Sequence, residues 1–81
     1  MVWKLIGEFT KMDGRTGLEY HNSELRLDLS VGMNPNMIIP EKYFVHIESS
    51  RFGVSFNPIQ HWFASEHEAQ KFANKYMKRN K

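Results

Sequence analysis

The spacing of the hydrophobic residues changes once along the chain, and this change limits the fold more than any other feature. In residues 2–10, 18–31, 42–49 and 52–56, apolar residues recur at every second position. From residue 69 onward they recur at intervals of three and four. The first spacing is typical of half-buried strands and the second of an amphipathic helix. The sequence therefore predicts an α+β protein in which an antiparallel sheet is followed by one C-terminal helix.

The first alternating segment is followed by a turn sequence. In residues 2–10, Trp3, Leu5 and Phe9 are expected to share one face of a strand. Residues 12–17 contain Asp13-Gly14 and a second glycine, and the Asp-Gly pair is typical of tight hairpin turns. We therefore expect the first two strands to pair as an antiparallel hairpin.

The alternation in residues 18–31 contains a defect. Leu18 and Tyr20 occupy even positions, whereas Leu25, Leu27 and Leu29 occupy odd positions. One regular strand cannot place both sets on the same face, because a shift of one residue turns every side chain to the other side. A bulge or a second turn near residues 22–23 is required.

The next predicted strands are residues 42–49 and 52–56, which we expect to pair as a second hairpin. Residues 32–36 have the composition of a loop, and Pro40 restricts residues 38–39 to a sheet edge or a loop. Residues 60–63 are either a short fifth strand or an ordered loop. The prediction is thus a four- to five-stranded antiparallel sheet, with the helix packed on one face.

The C-terminal helix is defined by a cap and a stripe. Ser65 is a favourable N-cap, and Glu68 three residues later completes a capping-box pattern. The stripe predicted to pack on the sheet is Ala69, Phe72, Ala73, Tyr76 and Met77. A helix of about 14 residues is marginally stable alone in water, so it must bury this stripe.

Length and composition indicate one domain and a reducing environment. The chain has 81 residues and no cysteine, which suits a single domain without disulfides. It lacks the roughly 20 consecutive apolar residues of a membrane-spanning helix and the apolar stretch of a signal peptide. We expect a single domain over residues 1–81 that is soluble and cytoplasmic, with no membrane partner.

The motifs of catalysis and of metal binding are incomplete. His67-Glu68 begins the zinc-helix pattern His-Glu-x-x-His, but Lys71 stands where the second histidine is needed. The other histidines have no ligand-like spacing, and no Gly-x-Ser-x-Gly or phosphate-binding glycine motif occurs. His46 and Glu48 lie two apart on one strand face, where they can touch on a solvated surface. We predict no enzyme activity, no cofactor and no metal site.

Protein binding is the function that we expect first. Met33 and Met37 lie near a Pro/Asn-rich loop, where apolar side chains are harder to bury than on a strand. Trp62 either closes the core under the helix or is exposed as an interface anchor. The predicted protein-binding residues are Met33, Met37, Tyr43 and Trp62. By analogy of size and lack of motifs with tiny phage- or mobile-element-encoded proteins, we expect a non-catalytic inhibitor or accessory factor that occludes a surface of host machinery.

Nucleic-acid binding is the alternative. Residues 71–81 carry five basic and no acidic side chains, whereas residues 1–70 carry six basic and nine acidic ones. The phosphate-binding candidates are Lys71, Lys75, Lys78, Arg79 and Lys81. The same charges also complement the helix dipole, and the acidic body weakens a broad phosphate-binding surface. Self-association through an unpaired sheet edge is a third hypothesis.

Overall fold

The computed structural model describes residues 2–50 and 56–80, which form an antiparallel sheet and a helix. The strands are β1 (Trp3–Thr10), β2 (Thr16–Asn22), β3 (Leu27–Met33), β4 (Tyr43–Ser49) and β5 (Ile59–Phe63), and the helix is α1 (Glu66–Arg79). The strands lie side by side in the order β1-β2-β3-β4-β5, each antiparallel to the next. The predicted α+β class, the four- to five-stranded antiparallel sheet and the hairpin formed by β1 and β2 are confirmed, and the number of strands is five.

The helix begins and packs as its sequence predicts. The Ser65 hydroxyl accepts a hydrogen bond from the backbone N–H of Glu68 at 3.1 Å, so the N-cap is confirmed. Ala69 and Ala73 are buried. The larger members of the stripe pack against the core with part of their surface exposed: Phe72, Tyr76 and Met77.

The helix lies diagonally across one face of the sheet. It packs on β3, β4 and β5. Its C-terminal end nevertheless reaches the start of β1, because the Trp3 indole N–H donates to the Asn80 carbonyl oxygen at 2.7 Å. The Trp3 ring also meets the Tyr76 ring edge to face, with centroids 6.3 Å apart. The corner of the sheet formed by the end of β1 and the start of β2 is left uncovered.

The core lies between this face and the helix. Leu29 on β3 and Val45 and Ile47 on β4 are fully buried, and Trp3 closes the core at one edge. These residues occupy alternate positions, so one face of each strand supplies the apolar contacts that hold the helix. Asn22 is buried beside them, and its side-chain oxygen accepts from the Leu25 N–H at 2.9 Å.

A tight turn at residues 23–26 explains the defect in the second alternating segment. It joins β2 to β3, so Leu18 and Tyr20 lie on the same face as Leu29 across the hairpin. Of the two alternatives, a bulge or a second turn, the structure has the turn. Leu25, expected on the buried face, lies in this turn with 42% of its surface exposed. The reason is that it precedes the first paired residue of β3.

A bulge in β1 overturns the expected face of Phe9. The pairing with β2 shifts between Leu5 and Gly7, where Gly7 adopts a φ of 151°. Few residues other than glycine take such a φ, so this position can absorb the extra residue. As a result Trp3 and Leu5 lie on the helix side and Phe9 lies on the opposite side.

The second strand of the second predicted hairpin lies largely outside the residues that the structure describes. Of the predicted strand 52–56, residues 52–55 are not among the described residues, and Phe56 is outside any strand. Residues 60–63 form a strand rather than a loop, since they belong to β5. β4 pairs with β3 on one side and with β5 on the other.

Candidate functional site

Two loops from different hairpins are joined at one end of the sheet. The turn at residues 11–15 connects β1 to β2, and the loop at residues 34–42 connects β3 to β4. The Asn36 side-chain amide donates a hydrogen bond to the Asp13 carbonyl oxygen. The longer loop is closed at its base by a bond of 2.9 Å from the Asn34 N–H to the Lys42 carbonyl oxygen. We call these two segments together the loop end.

The turn at residues 11–15 is held by its own side chains. The Arg15 N–H and guanidinium donate to the Asp13 carboxylate at 3.1 and 2.8 Å. The backbone donor chiefly, and the guanidinium charge beside it, hold the pKa of Asp13 below its ordinary value. The carboxylate therefore stays ionised and holds the turn at residues 11–15 in place. Asn36 is bonded to this turn.

The loop end exposes large apolar side chains. Met12 and Ile38, one on each loop, are fully exposed, and Ile39 is about half exposed. Single exposed apolar residues are normal on protein surfaces, but several on adjoining loops are typical of an interaction site. The loop end is therefore a candidate binding surface.

A groove opens beside the loop end, in the corner that the helix leaves uncovered. Its volume is about 550 Å³. The lining is formed by β1 to β4 and by the first turns of α1, and it comprises Glu8, Thr16, Gly17, Leu18, Val31, Gly32, Met33, Tyr43, Glu66, Ala69 and Gln70. Its floor is apolar, and its charged lining residues are the two glutamates. This volume is within the range of about 300–1,000 Å³ typical of ligand sites.

The far face of the sheet carries an aromatic row. Phe9, Gly17, Gly32, Phe44 and Trp62 pair across all five strands. The Phe9 and Phe44 ring centroids are 6.5 Å apart, and those of Phe44 and Trp62 are 5.7 Å apart. Because the central positions have no side chains, the flanking rings can close over them, and Phe44 is buried although no helix covers it.

Trp62 does not close the core under the helix. Its neighbours His61 and Phe63 face α1, where both rings contact Phe72. Trp62 therefore points to the far face, packs edge-on against Phe44 and keeps 38% of its surface exposed.

Two pairs of polar side chains on the far face are bonded to each other. The His21 ring bonds to the Asp28 carboxylate at 2.7 Å, and the His46 ring bonds to Glu48 at 3.0 Å, as its spacing suggested. Within residues 2–50 and 56–80 no group of three or more His, Cys, Asp or Glu side chains is placed to hold a metal ion.

The four predicted protein-binding residues cluster at one end of the sheet but not on one surface. Met33 and Tyr43 are paired across β3 and β4 and line the groove. Met37 lies in the adjoining loop and Trp62 on the far face. The residues not predicted are Met12 and Ile38 of the loop end and the two groove glutamates. The Asp-Gly pair after Met12 marks a turn, but its full exposure depends on how the second loop packs beside it.

The basic residues of the helix lie away from the groove. Lys71, Lys75, Lys78 and Arg79 are exposed, and Lys81 is outside the described residues. Spacings of four and three place the three lysines along one side of α1.

No protein-family model matches the chain, and no curated protein or solved structure matches it significantly. Among the helices of the described part of the chain, none has the length and apolarity needed to cross a bilayer.

Proposed function

We propose that this protein is a non-catalytic protein-binding module that occludes a surface of its partner with the loop end, as an inhibitor or accessory factor. The observation that carries the proposal is the full exposure of Met12 and Ile38 on two loops that are bonded to each other. The absence of cysteine suits action in the cytoplasm, including action by a phage- or mobile-element-encoded protein on host machinery.

The loop end has the energetic features of an anchor. Burial of an exposed Met or Ile side chain is worth about 1.5–3 kcal/mol per residue before ordering costs. The hydrogen bond between Asn36 and Asp13 reduces those costs, because the two loops are already held together before a partner arrives. Methionine also adapts its shape to irregular partner surfaces.

The size of a stable interface implies that more than the two loop tips takes part. An interface that buries about 800 Å² of this protein would use about one seventh of its 5775 Å² of accessible surface. The loop end together with the adjoining groove offers a continuous surface for such contact. Met33, Met37 and Tyr43 belong to that surface, while Trp62 borders it on the far face.

The test is a capture experiment with matched variants. Tagged wild-type protein, a Met12→Ser/Ile38→Ser double variant and a Leu25→Ser control are used on nuclease-treated lysate, and retained proteins are quantified by mass spectrometry. Leu25 is an exposed apolar residue at the opposite end of the sheet. We expect one stoichiometric partner for wild type and control, with retention at least about tenfold lower for the double variant.

Two results would contradict the proposal. One is equal retention of the partner by wild type and by the double variant. The other is a broad set of proteins that disappears with nuclease. Thermal melting of the three proteins should coincide, because all three substituted side chains are exposed.

The solvent side of α1 favours nucleic-acid binding as a second candidate. Lys71, Lys75 and Lys78 lie along about 10 Å of the helix, within reach of successive phosphates. We expect a short duplex or single strand to bind in a salt-dependent way, with a Lys71→Gln/Lys75→Gln/Lys78→Gln variant lowering the log-log salt slope by about two to three. Unchanged anisotropy titrations for this variant would remove the candidate.

A further inference from the structure

We propose that the groove beside the loop end receives a basic, apolar segment of the partner protein, in which Lys or Arg side chains alternate with apolar ones. This inference rests on the proposed function, since it names the chemistry of the partner. It concerns a different set of residues from the loop tips, so the two can fail separately.

The groove exists because the helix is diagonal. The C-terminal end of α1 is bonded to β1 through Trp3 and Asn80, and the helix packs on β3, β4 and β5. The end of β1 and the start of β2 are therefore left without a cover on this face. Leu18 and Met33 on the floor are only partly buried as a result.

The charge of the groove has one sign. Glu8 enters from β1 and Glu66 from the first turn of α1, and the described lining contains no Lys, Arg or His. Neither glutamate forms an ion pair with any residue in 2–50 or 56–80. The helix dipole stabilises the Glu66 carboxylate, because its negative charge lies at the N-terminal end.

A segment with both basic and apolar side chains matches the two carboxylates and the apolar floor of the groove. Lys and Arg have apolar stems that can lie along Leu18, Val31 and Met33 while the charged group reaches a carboxylate. Tyr43 also lines the groove, and aromatic rings attract cations. An acidic segment or a nucleic-acid backbone would be repelled, and an uncharged segment would desolvate the carboxylates without pairing them.

The test uses three short synthetic peptides with the same apolar residues: one alternates Leu with Lys, one Leu with Gln and one Leu with Glu. Each is titrated into ¹⁵N-labelled full-length protein, and amide shifts give the site and the dissociation constant. The variant is Glu8→Gln/Glu66→Gln. The control is Glu19→Gln/Glu24→Gln, which changes the net charge equally outside the groove.

We expect the Leu/Lys peptide to shift amides of Leu18, Met33, Tyr43 and Ala69, and to bind about tenfold or more tightly than the Leu/Glu peptide. The groove variant should weaken its binding by about three- to thirtyfold, while the control should bind like wild type.

Three results would overturn the inference. They are equal binding of all three peptides, equal binding by the groove variant and the wild type, and the lack of groove shifts at peptide concentrations up to about 1 mM. In each case partner capture through Met12 and Ile38 could still hold. Conversely, groove binding of the Leu/Lys peptide without loss of capture in the Met12→Ser/Ile38→Ser variant would contradict the proposed function alone.

Discussion

Two corners on the helix side of the sheet differ in how they are covered. In the closed corner, Trp3 of β1 is 4% exposed and is held to α1 by Tyr76 and Asn80. Two residues further along the same strand and on the same face, Leu5 is 56% exposed. The two side chains are both large and apolar, so the position of the helix, and not residue type, decides which is buried.

The geometry of the elements explains this difference. A helix of 14 residues is about 21 Å long and about 10 Å wide. Five strands about 4.8 Å apart form a sheet about 19 Å across. One such helix can cover about two strands at any level, so a diagonal placement that closes the Trp3 corner leaves the corner at the end of β1 and the start of β2 open.

The largest effect is expected in the closed corner. Trp3→Ala should lower the free energy of unfolding by about 3–5 kcal/mol, because it leaves a cavity between β1 and α1 and removes the bond to Asn80. Urea denaturation followed by circular dichroism measures this change. A loss below about 1 kcal/mol would show that the closed corner does not hold the helix.

A smaller effect is expected where two backbones meet beside the open corner. A Cβ on Gly32 would collide with the Thr16 carbonyl oxygen and lie 2.8 Å from the Gly17 Cα. Gly32→Ala should therefore force β2 and β3 apart and cost about 1–3 kcal/mol in unfolding free energy. Ser30→Ala, two residues away on the same face, is the control. Equal urea midpoints for the two variants would refute the close approach.

The closed corner should also weaken at high pH. Burial raises the pKa of Tyr76 above its ordinary value of 10.0, so the folded protein favours the neutral phenol. The corresponding stability is complete below the unfolded pKa and is lost as pH rises through the folded pKa. We expect the urea midpoint to fall above about pH 10 and Tyr76→Phe to reduce that slope. An identical slope in both proteins would count against this cause.

The smallest effect is expected at Leu5. Leu5→Ala should change the free energy of unfolding by no more than about 0.5 kcal/mol, because the side chain is already largely in water. Paired with Trp3→Ala in the same denaturation series, it measures the contrast between the covered and the uncovered position of β1 directly. A loss comparable to that of Trp3→Ala would mean that β1 is covered at Leu5 in solution.

The elements that follow from local chemistry could be predicted from the sequence. The helix was readable because Ser65 and its apolar stripe act within a few residues of each other. The interruption of the strand near residue 22 could be predicted because Leu18 occupies an even position and Leu29 an odd one. The face of Phe9 could not be predicted, because it depends on a bulge at Gly7. A glycine in a strand is also compatible with regular pairing.

The candidate site was predicted only in part, because it depends on contacts between distant segments. Met33 was predicted to lie near a loop and Tyr43 on the next strand, and β-pairing brings them together. The exposure of Met12 depends on the packing of residues 34–42 beside its turn. The negative charge of the groove depends on both Glu8 and Glu66. These residues are 58 positions apart in the chain, and no local pattern links them.

The order of the strands has a consequence for folding kinetics. Each strand pairs with its neighbour in sequence, so the ladders close short loops and can form early. The bond between Trp3 and Asn80 joins residues 77 positions apart, so we expect it to close late, after the helix has docked. We expect Trp3→Ala to raise the unfolding rate and leave the folding rate nearly unchanged in a chevron plot, whereas a slower folding rate would place this contact in the nucleus. If the folding rate is unchanged, the contact formed last governs the lifetime of the native state. The hairpins then govern the rate at which the native state forms.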